Sequence, residues 1–340
     1  MSFDISDYDF ELPKEAIALY PTLPKESGKL LIFERASGKI IHTKFGNLFE
    51  YIPKDFIFVF NDTKVMKARI FGKIQDRKIE LLIHSFDSAQ IRGLKNAIAI
   101  ELEQHYICKA KRRKDGLNGL WEVAFYKNDA PLNEGEFYKM LEQIGKMPIP
   151  PYIKREATQE DETLYQSVFA RSDARSIAAP TASLHFSKEM HDFALQHYRH
   201  AFLSLQIGSG TFKPISTSNI LDHKMHSELL RVNAKNLAKL MMEDNFICVG
   251  TTALRALEFL HSIKQIDMKN DFIGECDIFI HLNNPPKVAS ALLTNFHLPK
   301  SSLFALISSM TGLKKAHEIY KIALENGYKF YSYGDGMLII

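Results

Sequence analysis

Residues 246–262 read FICVGTTALRALEFLHS, and this stretch decides the fold class. Phe246–Val249 is an unbroken apolar run of strand length, which predicts a strand buried on both faces. Gly250-Thr251-Thr252 follows as a turn, and Ala253–Ser262 carries a helical pattern. Strand, polar turn and helix in immediate succession form the repeating unit of α/β architecture. The turn also leaves backbone N–H groups and two hydroxyls at a helix N-terminus, where an anion or carboxylate is well held. Arg255 sits one turn further in as a forked donor. A plainer reading stands beside this one, in which threonine caps the helix and Arg255 pairs with Glu258 or Glu275.

The same device recurs along the chain. Val288–Leu293 predicts a strand, 294–299 (TNFHLP) a turn, and Lys300–Ser309 a helix opened by Ser301. Phe56–Phe60 predicts a buried strand that ends in Asn61-Asp62-Thr63-Lys64. Strand carboxyl ends gather binding groups in open α/β sheets, although Asn and Asp favour turns on their own account. Ala201–Ile207 runs into Gly208-Ser209-Gly210-Thr211, which admits a ligand close to the backbone but lacks the dinucleotide fingerprint. In 178–186 (AAPTASLHF), Pro180 stiffens a small-residue loop that presents Thr181 and His185. Ser187 then caps a helix with Met190, Phe193, Ala194, His197 and Tyr198 on one stripe. The tail 331–337 (YSYGDGM) reads as strand, turn, strand, with Asp335 at the bend.

Between Val65 and Tyr152 the texture changes. Ala68–Ile74, Ile79–Ile83, Ile98–Leu102, Tyr106–Ala110 and Trp121–Tyr126 are short, β-rich and punctuated by turns, which predicts a small closed barrel or sandwich. The basic run 109–114 (KAKRRK) caps one hairpin. The stiff stretch 147–152 (MPIPPY) marks a domain exit. The expected organisation is therefore a discontinuous α/β (mixed α+β) main domain, 1–64 plus 153–340, with a β-barrel-like domain inserted at 65–152.

Composition narrows the function classes. Across 340 residues the formal net charge is only +3, so any nucleic-acid surface is local. Three scattered cysteines give no disulfide framework or zinc knuckle and suit a reducing cytosol. The acidic N-terminus is unlike a signal peptide, and no apolar run reaches membrane-span length. The cluster 223–228 (HKMHSE) lacks a third ligand in helical context, so no metal is expected; an acid–base pair or a plain surface turn remains.

Taken in order, 61–69 (NDTKVMKAR), 147–155 (MPIPPYIKR), Tyr165-Gln166, 178–186, 208–212, 223–228, 250–258 (GTTALRALE), 293–301 (LTNFHLPKS) and 331–337 resemble the S-adenosylmethionine:tRNA ribosyltransferase-isomerases of queuosine biosynthesis from end to end. Departures from that pattern fall at Gly28-Lys29-Leu30, at Arg175-Ser176-Ile177, at Ser183 and near Leu282-Asn283-Asn284. The resemblance implies two domains with the site in a cleft between them. It implies a reaction in which the ribosyl part of S-adenosylmethionine passes to 7-aminomethyl-7-deazaguanine at the tRNA wobble position. Adenine and methionine leave, epoxyqueuosine forms, and S-adenosylmethionine is consumed as a substrate with no separate cofactor. A monomer in the cytoplasm is the expectation. A methyltransferase with the same cosubstrate and a non-catalytic tRNA-binding protein are the rivals.

That chemistry calls for acid–base groups, because the sulfonium acidifies C5′ and the leaving adenine needs a proton or hydrogen bond. His185, His226 and His297 fit by type, with Glu228 and Asp335 as orienters or alternative bases. Thr251, Thr252 and Arg255 suit the methionine carboxylate. Thr181, Thr294 and Asn295 suit ribose or adenine, and Gly208, Gly210 and Thr211 a close backbone approach. Tyr152, Tyr165 and Phe186 offer stacking faces for anticodon-loop bases, and Lys64, Arg69, Lys111, Arg112, Arg113 and Arg155 offer phosphate contacts.

Overall fold

A computed structural model describes residues 3–113, 119–171, 174–208 and 214–340. The fold is mixed α+β. The chain divides into two compact units: 1–64 with 166–174 and 179–340, and 65–165 with 175–178.

The first unit is built on a nine-stranded sheet. Its order is Phe272–Cys276, Glu228–Val232, Arg199–Leu205, Ile57–Asn61, Phe246–Val249, Ala289–Asn295, Gly336–Ile339, Lys29–Phe33, Ile40–Lys44. The four strands from Arg199–Leu205 to Ala289–Asn295 are mutually parallel. Gly336–Ile339 runs antiparallel to Ala289–Asn295 and parallel to Lys29–Phe33. Alternate side chains feed two cores. Ile57, Val59, Phe246 and Cys248 enter one, with the helices Thr251–Ser262, Ser302–Thr311 and Leu313–Glu325. Phe58, Phe60, Ile247 and Val249 enter the other, with Phe45, Phe186 and the helix Lys188–His197. Burial on both faces is why these strands read as continuous apolar runs.

Parallel alignment puts the strand carboxyl ends on one edge. Asn61, Leu205, Gly250 and Asn295 end there, and Gly336 pairs with Asn295 and with Leu30. Ala289–Asn295 is held at its start by Glu258, whose carboxylate accepts the backbone N–H groups of Lys287 (2.9 Å), Val288 (2.9 Å) and Ala289 (2.8 Å).

The second unit is an antiparallel sheet in the order Ala130–Pro131, Leu120–Lys127, Ser88–Ile91, Arg77–Ser85, Arg69–Ile74, Ile98–Leu102, Tyr106–Arg112, and Leu120–Lys127 pairs with Tyr106–Arg112 as well. The unit continues past the proline-rich stretch because Arg69 donates to the Ile149 carbonyl (3.0 Å) and Lys67 pairs with Glu162 (2.9 Å).

Three expectations are corrected. The β-rich segment also contains the helix Glu134–Ile144, which sends Phe137, Met140, Leu141 and Ile144 into that unit's core. The tail has one strand, Gly336–Ile339; residues 331–335 form a turn clasped by Asp335. The stretch around Thr181–His185 is a 3₁₀ turn, so the histidine is buried within a short helix and not carried on an open loop.

Glu258→Ala leaves three N–H groups without their acceptor, that of Ala289 buried and the other two partly so, and is expected to lower unfolding stability by about 2 kcal/mol, measured by denaturant titration. Glu258→Gln keeps one acceptor oxygen and loses less.

Candidate active site

At the carboxyl edge lies a concavity of about 680 Å³, partly open to solvent. Thr181, Thr251, Thr252, Thr294, Asn295 and His297 supply its polar lining, with Ser301, Tyr331 and Ser332 around them. Every lining residue belongs to the first unit. Gly250 has φ +95°, and a Cβ there would stand 3.7 Å from both the Ala182 Cβ and the Thr252 Oγ1. A side chain is strained in this conformation, which fits the glycine.

The helix Thr251–Ser262 starts without a side-chain cap, its flanking residue being Gly250. Its first-turn N–H groups and positive dipole end therefore remain available at the pocket wall. The neighbouring helix Ser302–Thr311 is capped, with the Ser301 hydroxyl accepting from the Phe304 N–H (3.1 Å).

The pocket's polar side chains are tied to groups behind them. Thr181 Oγ1 donates to Asn295 Oδ1 (2.8 Å). Asn295 Nδ2 in turn faces His185 Nε2 (3.1 Å) and donates to the Gly334 carbonyl (3.4 Å). An amide donor at Nε2 places the histidine proton on Nδ1. The His185 ring also stacks on Phe45 at a centroid distance of 4.8 Å. Thr294 Oγ1 and His297 Nε2 are 2.9 Å apart, and the His297 N–H donates to the Tyr320 hydroxyl (3.1 Å). Burial lowers His185 to about 4, with a smaller push from the Lys25 ammonium, and burial alone lowers His297 to about 3. Both imidazoles are thus neutral near pH 7: hydrogen-bonding partners, not resident acids.

A family model described as queuosine biosynthesis protein matches residues 5–339. The chain belongs to the queuosine biosynthesis family. It is 46% identical to an S-adenosylmethionine:tRNA ribosyltransferase-isomerase of Helicobacter pylori (strain Shi470), over 99% of each chain. It is 44% identical to a protein of the same name in Sulfurimonas denitrificans, over 98% of each. In fold it is similar to an S-adenosylmethionine tRNA ribosyltransferase structure from Thermotoga maritima, with a TM-score of 0.55 at 23% identity, covering 98% of this chain and 100% of that one.

In this queuosine-family chain the expected site residues separate into groups. Thr181, Thr251, Thr252, Thr294, Asn295 and His297 come together in the pocket, and His185 stands directly behind Asn295. Arg255 does not line it. Its Nη1 pairs with Glu228 Oε2 (2.5 Å) and its Nε donates to the Ile278 carbonyl (3.2 Å), a buried pairing with neither Glu258 nor Glu275. Glu228 is correspondingly engaged, and its other oxygen accepts the Gly208 N–H (3.1 Å). A carboxylate bound this way is no free base. His226 is partly buried and absent from the pocket lining. Asp335 accepts the backbone N–H groups of Lys29 (2.9 Å) and Lys329 (2.7 Å), one on each oxygen, so it staples the turn; burial nonetheless raises its carboxyl. Gly210 and Thr211 lie outside the described residues.

The tRNA-facing expectations divide in the same way. Arg155 makes a bidentate pair with buried Asp161 (2.6 and 2.7 Å), and Arg69 pairs with Glu80 (3.2 Å), so both guanidiniums are already neutralised inside the protein. Tyr165 and Phe186 are fully buried and present no ring face to a base. Lys64, Lys111 and Arg112 are exposed, with Lys111 on Glu122 (2.8 Å) and Arg112 over Trp121; Arg113 and Tyr152 are half-buried. Among the described residues, no group of three His, Cys, Asp or Glu is placed to hold a metal ion, and no helix is long and apolar enough to cross a membrane.

The depressed histidines make stability pH-dependent. An unfolded histidine titrates near 6.5, so between that value and about 4 the unfolded chain binds protons that buried His185 refuses. The stabilisation is complete above pH 6.5 and is lost as pH falls toward the folded values. Asp62 and Asp335, raised by burial, act with the opposite sign nearer pH 4. The unfolding free energy from denaturant titrations should therefore fall between pH 7 and 5, by about 1–2 kcal/mol per buried histidine, and His185→Gln should flatten that fall.

Proposed function

We propose that this enzyme transfers the ribosyl part of S-adenosylmethionine to 7-aminomethyl-7-deazaguanine at the wobble position of tRNA and isomerises it, giving epoxyqueuosine tRNA, adenine and methionine. The observation that carries the reading is the full-length likeness to ribosyltransferase-isomerases, 46% identical over 99% of each chain, in a protein whose pocket gathers four threonine hydroxyls with Asn295 and His297.

S-adenosylmethionine brings three things to recognise: a carboxylate with its amine, a sulfonium ribose and adenine. The uncapped start of Thr251–Ser262, with the hydroxyls of Thr251 and Thr252, takes the carboxylate. Thr181, Thr294 and Asn295 orient ribose and adenine. His297 borders the pocket as a neutral imidazole and can accept a proton from the sulfonium-activated C5′ position. His185 meets the pocket through Asn295, so its work is to set the Asn295–Thr181 pair. Arg255 and Glu228 hold the 207–208 strand exit instead of meeting substrate.

For the acceptor, the exposed cations Lys64, Lys111 and Arg112, together with Arg113, track the anticodon-loop backbone, and Tyr152 offers a ring to a splayed base. Residues 65–152 supply the inserted barrel of a two-domain enzyme, within the unit that runs on to 165. The pairing of Leu120–Lys127 with strands on both sides supports that reading. The protein acts as a cytoplasmic monomer and needs no cofactor beyond the cosubstrate it consumes.

Purified protein mixed with S-adenosylmethionine and tRNA bearing the aminomethyl-deazaguanine should release adenine and methionine together, with the ribosyl mass appearing on the tRNA base. Chromatography and mass spectrometry check both; S-adenosylhomocysteine with a one-carbon gain on the tRNA would instead establish methyl transfer. His297→Ala should lower turnover about 10²- to 10⁴-fold in the same assay.

A further inference from the structure

Asn61 ends the strand Ile57–Asn61, is completely buried and does not line the pocket. Its amide meets the backbone of the neighbouring strand end twice. The Leu205 N–H donates to Asn61 Oδ1 (3.1 Å), and Asn61 Nδ2 donates to the Leu205 carbonyl (3.1 Å). The Thr63 N–H also donates to Oδ1 (3.3 Å). This pairing allows one amide orientation, since a flip would set donor against donor and acceptor against acceptor. The second Nδ2 hydrogen is thereby committed to Thr252 Oγ1, 3.2 Å away. A hydroxyl that accepts from behind has its own proton to give in front, and Thr252 lines the pocket at the uncapped helix start. Thr181 is set the other way. It donates to Asn295 Oδ1 and so faces the pocket as an acceptor.

We propose that Asn61 is a positioning residue that makes Thr252 a hydrogen-bond donor to the carboxylate of S-adenosylmethionine. The proposal rests on the ribosyltransferase reading above and adds a residue and a polarity to it. The carboxylate is the fitting recipient because Thr252 opens an uncapped helix whose dipole and free N–H groups favour an anion, and a carboxylate accepts but does not donate. The acceptor hydroxyl of Thr181 suits the donor groups of the cosubstrate instead.

The test compares wild type, Asn61→Asp, Thr252→Val and the double variant in the adenine-release assay, with decarboxylated S-adenosylmethionine as a competing probe. Asn61→Asp keeps an oxygen for the Leu205 and Thr63 N–H groups but has no N–H for Thr252 or for the Leu205 carbonyl and adds a charge, so Asn61→Ala, which removes the same N–H without charge, is run beside it. Each single variant should raise the KM for S-adenosylmethionine on the order of ten- to a hundredfold with the KM for tRNA unchanged. The double variant should match Thr252→Val, and Thr252→Ser should restore wild-type behaviour. The inhibition constant of the decarboxylated probe should be nearly the same for all of them. If Asn61→Asp does not fold, as judged by its thermal transition, Asn61→Ala alone carries the cycle. A further KM increase when the uncharged Asn61→Ala change is added to Thr252→Val would overturn the proposal, since Asn61 would then act without Thr252. Equal losses for the decarboxylated probe would overturn the assignment to the carboxylate. Absence of adenine release by wild type is a separate result and would count against the ribosyltransferase reading itself.

Discussion

Four parallel strands that finish on one edge leave their last polar groups facing outward together, and the site follows from how those groups are satisfied. A buried backbone donor or acceptor without a partner costs about 1–3 kcal/mol, so the edge cannot simply be left bare. Asn61 answers the Leu205 backbone, Asn295 answers the Gly334 carbonyl, and Asp335 answers the N–H groups of Lys29 and Lys329. Each of these is first a structural pairing. Two of the three side chains have a hydrogen-bonding group left over, and it meets a threonine on the pocket wall. The fold thus completes its edge and fixes its site with the same atoms.

The aromatic core behind that edge limits what the imidazoles can do. His185 lies against Phe45, and His297 sits in the turn before Ser301, its N–H on Tyr320; burial dominates the shift of each. Burial costs an imidazolium more than a neutral imidazole, so the neutral form prevails. The arrangement holds both rings as neutral hydrogen-bonding partners near pH 7, His185 toward Asn295 and His297 toward Thr294.

Legibility in the sequence tracked how local each signal was. Phe246–Ser262 declared itself because a strand buried on both faces and the following helix are written in adjacent residues, although the helix begins at Thr251, two residues before the expected Ala253. Ser187 and Ser301 act as the caps that the sequence also reveals. The helix Glu134–Ile144 carries local signals too, since Asn133 and Glu136 form a capping box and Phe137, Met140, Leu141 and Ile144 keep helical spacing, but it stands among short strands whose β-rich texture masks that pattern. Arg255 was not decidable by spacing, since its partner Glu228 is remote in sequence and arrives through the pairing of Glu228–Val232 with Arg199–Leu205. Buried Tyr165 and paired Arg155 show the same limit, for residue type suggested a surface role that packing removed.

Asn61 is the sharpest instance. From sequence it is one of several turn-favouring residues after a strand, and nothing local separates a turn Asn from a site Asn. Its significance comes from two neighbours on opposite sides: Leu205, from the strand at one flank, fixes the amide, and Thr252, beyond the strand at the other, receives its remaining hydrogen. Those neighbours are defined only when Arg199–Leu205, Ile57–Asn61 and Phe246–Val249 lie side by side in parallel. Strand order is a long-range property, and so is any hydrogen-bond polarity that depends on it. A reading that stops at residue type finds the threonines; only the assembled sheet says which of them gives a proton and which receives one.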